Sequence, residues 1–375
     1  MEEKEIIDNF KKGKIPFPWI RNRIENPKEL FINLQEYIPE IIDKPFTYKY
    51  IVLKILKMNN LIKYQNHKYI SIITKKNDYE RIDKLVDYFN EYPRMNSCRR
   101  DKPCSPLEVW NQKPELLENW IQHQLKMNKS ITIIGLREQI WKMGFECNAF
   151  KASLAISIYK FFNAKRVLDF SSGWGDRLLG AMAYNIERYL GYDPNPELQQ
   201  GYNEIISLFS ETKEEKQRYE IITEPFENTN DINETFDLIF TSPPYFDFET
   251  YISSDQLISI TQSIMNYPIF NDWMIHFLFT SLYKCWQYLI PNGNMVIHLS
   301  DVYKTNYVEA MILFVLGWCK NSRMDGSIAS IGDCGKPRPL WIFHKIKTSE
   351  TKYLYREKMK KYYPELFRLL ETYFI

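Results

Sequence analysis

Arg166-Val167-Leu168-Asp169-Phe170-Ser171-Ser172-Gly173-Trp174-Gly175-Asp176-Arg177-Leu178-Leu179-Gly180 reads as a short buried strand, a turn with two glycines and the start of a helix. The strand is 166–170, and the helical pattern runs on over 176–187. Glycines where a strand gives way to a helix let a ligand come close to the backbone. Only Gly173-x-Gly175 is in register with a Gly-x-Gly-x-x-Gly turn, so the segment is not a dinucleotide fingerprint. Tyr189-Leu190-Gly191-Tyr192-Asp193 is a second short strand, and it ends in an acid placed where a carboxylate can take two ribose hydroxyls.

A third strand, Phe236-Asp237-Leu238-Ile239-Phe240-Thr241, runs into Ser242-Pro243-Pro244-Tyr245. Two prolines donate no backbone hydrogen bond and hold φ at about −65°. They end the strand in a rigid turn that presents one hydroxyl, two carbonyls and an aromatic face. Such a cup suits a planar amine: acceptors orient the N–H groups and the ring stacks on the heterocycle. Taken alone, each piece has a plainer reading, as a strand–helix turn, a helix N-cap or a proline loop. Their shared position at strand ends, in this order, is what carries weight.

Together they resemble the S-adenosylmethionine-dependent amino-methyltransferases, which carry an Asp-x-x-x-Gly-x-Gly loop and a (Ser/Asp/Asn)-Pro-Pro-(Tyr/Phe/Trp) turn. The resemblance implies S-adenosyl-L-methionine as cofactor. Asp169 and the backbone of Gly173 and Gly175 would hold its methionine end, beside Phe170. Asp193 would take the ribose, and Phe226, just after the strand candidate 219–223, would pack on adenine. Phe150 and Lys151, which precede the first strand, would cover the methionine end; the alternative is a helix that merely packs on the sheet. Ser242 and the Pro243 carbonyl would accept the amine hydrogens, with Pro244 holding the turn and Tyr245 stacking on the base. Phe246, Phe248 and Tyr251 would line the pocket of a flipped base. Serine at the first position of the turn leans towards cytosine N4 in DNA, aspartate or asparagine towards adenine N6. Related Asn-Pro-Pro-Tyr enzymes methylate RNA bases or protein glutamine, and a silent nucleic-acid-binding subunit with the same fold is a further alternative. No metal is implied.

The expected fold is α/β: a Rossmann-like sheet of five parallel strands closed by an antiparallel C-terminal hairpin, with a small, mainly helical N-terminal module. Strand candidates are 166–170, 189–193, 219–223, 236–241 and 293–299, with helices at 176–187, 196–209, 271–290 and 306–320. The hairpin is 327–331 and 340–346 around Gly332–Pro337. Residues 146–348 form the catalytic domain in this reading, and 349–375 an amphipathic C-terminal helix.

Residues 1–95 read as a winged-helix-like module, with helices at 28–42 and 46–58 and a hairpin turning at Gln65–Asn66. Residues 96–145 form a linker with a helical segment. The first 150 residues carry 26 Lys+Arg against 20 Asp+Glu, and the remainder 23 against 27. That asymmetry permits a nucleic-acid-facing N-terminal part, which would equally serve a protein partner. No apolar run reaches the length of a membrane span, and the N-terminal Met1-Glu2-Glu3-Lys4-Glu5 lacks a signal-peptide pattern. An intracellular, cytoplasmic or nuclear, protein is expected. The six cysteines show no metal-ligand spacing. Of the five histidines, His298 lies in a strand candidate and reads as a satisfied core residue.

Overall fold

The computed structural model describes residues 3–42, 70–73, 76–99, 102, 104–127, 129–251, 262–301, 307–332, 337–347 and 352–374. In chain order its strands are β1 (Glu40–Ile42), β2 (Ile70–Ile73), β3 (Cys98–Arg99), β4 (Arg166–Asp169), β5 (Arg188–Tyr192), β6 (Tyr219–Ile222), β7 (Phe236–Thr241), β8 (Glu249–Thr250), β9 (Leu289–His298), β10 (Ser322–Ile331) and β11 (Pro337–Lys345). Among the described residues, nine form one sheet in the order β1-β2-β10-β11-β9-β7-β4-β5-β6, while β3 pairs with β8. β6, β5, β4, β7 and β9 run parallel, so their carboxyl ends open on one edge. β11 runs against both β9 and β10, which closes the Rossmann-like sheet. The chain fills the sheet outward from β4 to β6, then returns to β7 on the other side. Ligands in such sheets bind at that reversal, beyond the strands' carboxyl ends.

Alternation along the strands builds two core layers. Val167, Leu238, Phe240 and Val296 pack with helices Ala152–Phe162 and Asp176–Ala183. Leu168, Ile239, Met295 and Ile297 pack on the opposite side with Leu278, Leu282 and helix Tyr307–Trp318. A third, smaller core joins Phe10, Phe17, Met95, Trp110, Leu117, Leu136 and Ile140, residues from both sides of position 95. Among the described residues, no helix is long and apolar enough to cross a membrane.

Several elements differ from their expected limits. The helix expected over 28–42 is Pro27–Gln35, started by the Asn26 side chain and Pro27 at its first turn. Pro39 cannot continue a helix, and Glu40–Ile42 instead pairs with β2 at the sheet edge. β2 in turn lies parallel to β10, so this N-terminal segment extends the main sheet. The helix expected over 46–58 and the turn at Gln65–Asn66 fall outside the described residues. β10 starts five residues before the expected 327, and Gly326, at φ 123, takes up a bulge in its pairing with β11. The C-terminal helix divides at Pro364 into Lys352–Tyr362 and Pro364–Tyr373. It packs on helix Tyr307–Trp318, where Arg356 Nε donates to the Gly317 carbonyl at 2.9 Å.

Candidate active site

The loop between β4 and helix Asp176–Ala183 forms the floor of the site. Gly173 and Gly175 have φ of 61 and 106, the left-handed region that only glycine enters without strain. A Cβ on Gly175 would also lie 3.0 Å from Ile205 Cδ1, so the loop sits directly against helix Gln199–Phe209. Four further bonds hold it. Ser172 N donates to the Tyr192 carbonyl at 2.8 Å. Trp174 Nε1 donates to the Asn148 carbonyl at 3.2 Å. The Tyr202 hydroxyl donates to the Gly173 carbonyl. Asn90 Nδ2, from helix Asp87–Met95, donates to the Trp174 carbonyl at 2.8 Å.

Asp169 lies beneath the loop, not in it. Its carboxylate is fully buried and accepts from Arg177 Nε at 2.6 Å, the Tyr189 hydroxyl at 2.8 Å and Ser171 N at 3.2 Å. Arg177 also donates to the Ser171 carbonyl. The pair thus braces the loop from below, where a bare charge of either sign would be costly.

Asp193 faces the cleft. Its two oxygens accept from Gly173 N at 2.8 Å and Asn195 N at 3.1 Å. Burial pushes its carboxyl up to about 6, against the pull of those two N–H groups. An aromatic wall stands beside it: Phe226 stacks on Phe170 with centroids 5.8 Å apart and meets the edge of Tyr192 at 5.0 Å. Glu227, the next residue, is buried at the same wall, and its carboxyl is raised to about 7 by desolvation.

β7 delivers Ser242-Pro243-Pro244-Tyr245 on the side of β4 away from β5. Phe246 then adopts φ 46, unusual for a bulky side chain, and packs its ring on Phe270 and Trp273. Phe248 lies under the Arg99 guanidinium, 4.8 Å from its ring centroid, as β3 pairs with β8. Tyr251 meets Trp174 edge-on at 5.5 Å, and Gln262 bonds both the Tyr251 N–H and its carbonyl.

One cleft of about 850 Å³, counting its open mouth, therefore gathers Phe170, Gly173, Asp193, Phe226, Ser242, Pro244, Phe246 and Tyr251. Asp169, Gly175, Pro243, Tyr245 and Phe248 stand around it without lining it. Lys151 is placed elsewhere: it precedes helix Ala152–Phe162 and lines a second cavity with Asp83, Asp87 and Arg94. Phe150 turns its ring towards His298, with centroids 5.3 Å apart.

His298 is buried, as expected of a core histidine, but only one of its ring nitrogens finds a partner among the described residues. It ends β9, whose register pairs Ile297 with Thr241, so the next residue on each strand meets the other. Ser242 Oγ lies 3.1 Å from His298 Nδ1 and 3.3 Å from the His298 carbonyl oxygen. His298 Nε2 is buried with no hydrogen-bond partner among the described residues. Burial, with the charges of Arg338 and Arg177, lowers its pKa to about 3, so the ring is neutral. His298 and Asn90 carry no local sequence signal for these roles, since each acts on a residue brought near by folding, whereas Arg177 and Gln262 bond residues 6 to 11 positions away.

No family model matches this chain, and no curated protein matches it. Among solved structures, 53% of the chain aligns with 50% of TrmN from Thermus thermophilus, at 13% identity and a TM-score of 0.38. An rRNA methylase from Streptococcus thermophilus aligns over 54% of this chain and 99% of its own, at 13% identity and a TM-score of 0.35. SMU.1697c from Streptococcus mutans, in complex with SAH, aligns over 53% of this chain and 100% of its own, at 12% identity and a TM-score of 0.35. The alignment thus spans half the length of TrmN, and about half of this chain in each case.

Proposed function

We propose that the protein transfers a methyl group from S-adenosylmethionine to the exocyclic amino group of a nucleobase, cytosine N4 in DNA. The observation that carries this reading is that Ser242 and Pro244 share one cleft with Gly173, Asp193 and Phe226. The residues fit the cofactor: two left-handed glycines leave the loop open, a carboxylate faces the cleft, and an aromatic wall stands beside it. When bound, S-adenosylmethionine supplies an electrophilic methyl on a sulfonium. Asp193 accepts from the ribose hydroxyls, and Phe226 with Phe170 packs beside adenine. Asp169 acts through Arg177 and Ser171 by holding the loop, and Lys151 has no part in this reading.

An exocyclic amine is a poor nucleophile because its lone pair is delocalised into the ring. Ser242 Oγ and the Pro243 carbonyl accept its hydrogens, which draws the lone pair out of the ring plane. Phe246 and Tyr251 line the cleft and enclose the base once flipped, and Tyr245, just beyond the lining, stacks on it, while Phe248 is held under Arg99 outside the cleft. Most of the gain is orientation together with acceptors preorganised for positive charge developing on nitrogen. Serine rather than a carboxylate at position 242 supports cytosine N4 over adenine N6.

The test is incubation with methyl-labelled S-adenosylmethionine and, separately, duplex DNA, single-stranded DNA, total RNA and protein extract, followed by digestion and identification of the product. N4-methylcytosine in DNA is expected. Label on cytosine C5 refutes the amine mechanism, and label on RNA or glutamine refutes the substrate.

A further inference from the structure

We infer that His298 is a positioning residue that makes Ser242 an acceptor-only group, and so selects an amino substituent over a carbonyl at the reacting position of the base. The inference rests on the amino-transfer reading above. A free serine hydroxyl is ambidextrous: it carries one donor and two lone pairs, and it rotates to suit its partner. Unconstrained, Ser242 would donate to the O4 of uracil or thymine as readily as it accepts from the N4 amine of cytosine. That ambiguity is absent from a carboxylate, which only accepts, and the chain has no carboxylate at this position.

The ends of β7 and β9 remove the ambiguity. Ser242 Oγ is within reach of His298 Nδ1, at 3.1 Å, and of the His298 carbonyl, at 3.3 Å. In one tautomer the hydroxyl donates to bare Nδ1. In the other, Nδ1–H donates to Oγ and the hydroxyl donates to the carbonyl. Either way the serine proton is consumed by His298, and an oxygen lone pair is left for the cleft that Ser242 lines. The ring cannot swing away to release it. His298 is 7% exposed and packs T-shaped on the Phe150 ring with centroids 5.3 Å apart, while the β7–β9 register fixes its backbone. The neutral ring supports both arrangements, because an imidazolium has no bare Nδ1. His298 Nε2 makes no hydrogen bond among the described residues, so Ser242 is the one side chain to which this ring is hydrogen-bonded among them.

The experiment has a ligand-free arm and a functional arm. In the first, nitrogen NMR of the full chain labelled at histidine identifies the His298 ring signals by their loss in His298→Asn. Ser242→Ala is expected to shift the Nδ1 resonance of His298; an unmoved resonance overturns the pairing. In the second, His298→Leu is expected to lower kcat about 100-fold, the scale of losing one preorganised polar partner. The KM for S-adenosylmethionine should stay within about twofold, because His298 does not face the cofactor wall. His298→Asn, which keeps an amide oxygen near the position of Nδ1, is expected to recover at least about tenfold of the loss.

Competition by oligonucleotides that differ only in cytosine or uracil at the target supplies the specificity readout. Wild type and His298→Asn should prefer cytosine at least about tenfold, and His298→Leu should lose most of that preference. Unchanged kcat and preference in His298→Leu overturn the inference, as do equal losses in the Leu and Asn variants. If wild type transfers methyl to no base, the amino-transfer reading fails, and with it the claim of selection. The NMR arm then still decides whether His298 and Ser242 are coupled.

Discussion

Asn90 Nδ2 donates to the Trp174 carbonyl at 2.8 Å, so a side chain from the N-terminal part props the glycine loop after β4 from 84 residues away. The same amide fills the space over Gly201, where a Cβ would come within 1.9 Å of Asn90 Oδ1. Helix Asp87–Met95, the loop and helix Gln199–Phe209 are thus keyed together through one buried amide. Asn90→Ala should cost about 1–3 kcal/mol in stability, because the Trp174 carbonyl loses its donor in a buried place. Calorimetry should show weaker binding of S-adenosylhomocysteine, and Gly201→Ala should reproduce the effect by displacing the amide. Full cofactor affinity in both variants would refute the propping role.

Removal of residues 1–95 should do more than detach a substrate-binding arm. It deletes β2 from the edge of the sheet and Asn90 from the loop. The truncated chain is expected to melt well below the full chain and to lose cofactor binding. A stable truncated protein with intact cofactor affinity would show that the N-terminal part is a separable module.

Asp193 predicts a pH dependence of cofactor binding. The folded protein holds this proton up to about pH 6, whereas an aspartate carboxyl in the unfolded chain loses it near 3.8. For the ligand-free protein, the contribution of this group to stability therefore falls as pH rises between those values. If Asp193 takes the ribose as proposed, the hydroxyls donate to its charged form, and affinity for S-adenosylhomocysteine should fall as pH is lowered through about 6. Asp193→Asn should bind more weakly and with a flatter profile, which calorimetry at pH 5 and pH 8 would show.

The Arg177–Asp169 pair should be far more sensitive to loss of one partner than of both. Arg177→Met leaves a fully buried carboxylate without its cation, a change that costs about 3–5 kcal/mol in comparable sites. Addition of Asp169→Leu should recover part of the lost melting temperature. No recovery in the double variant would show that the loop depends on Asp169 for its bonds to Ser171 and Tyr189 rather than for charge balance.

Ser242→Ala should cut turnover and leave cofactor affinity unchanged, since Ser242 follows β7 and is separated by β4 from Asp193, which follows β5. Tyr245→Ala should weaken substrate binding by about 1–3 kcal/mol, the worth of one base–aromatic stack. Steady-state kinetics with the labelled cofactor separate the two: the first appears in kcat, the second in KM for the nucleic acid. A Tyr245→Ala enzyme with unaltered KM would remove that ring from the pocket.

Much of this architecture is legible in the chain because its signals are local. The alternation of Val167 and Leu168 between two core layers, and the glycines at 173 and 175, are properties of a few neighbouring residues. So are the prolines that stop β7 after Thr241. These suffice to place Gly173, Asp193, Phe226 and Ser242 at strand ends that a parallel sheet must bring to one edge. Errors of boundary also have local causes, such as Pro39 ending a helix at Gln35.

What only the tertiary structure decided is which side chains meet across long separations. Asp169 looks like a ligand-binding acid in sequence, yet folding buries it against Arg177 and turns it into a brace. Asn90 and His298 have no motif around them, and their partners, Trp174 and Ser242, lie 84 and 56 residues away. Strand pairing set the second of these, by bringing the ends of β7 and β9 side by side. Such contacts depend on sheet register and helix docking, which follow from the burial of whole faces and not from any short stretch of residues.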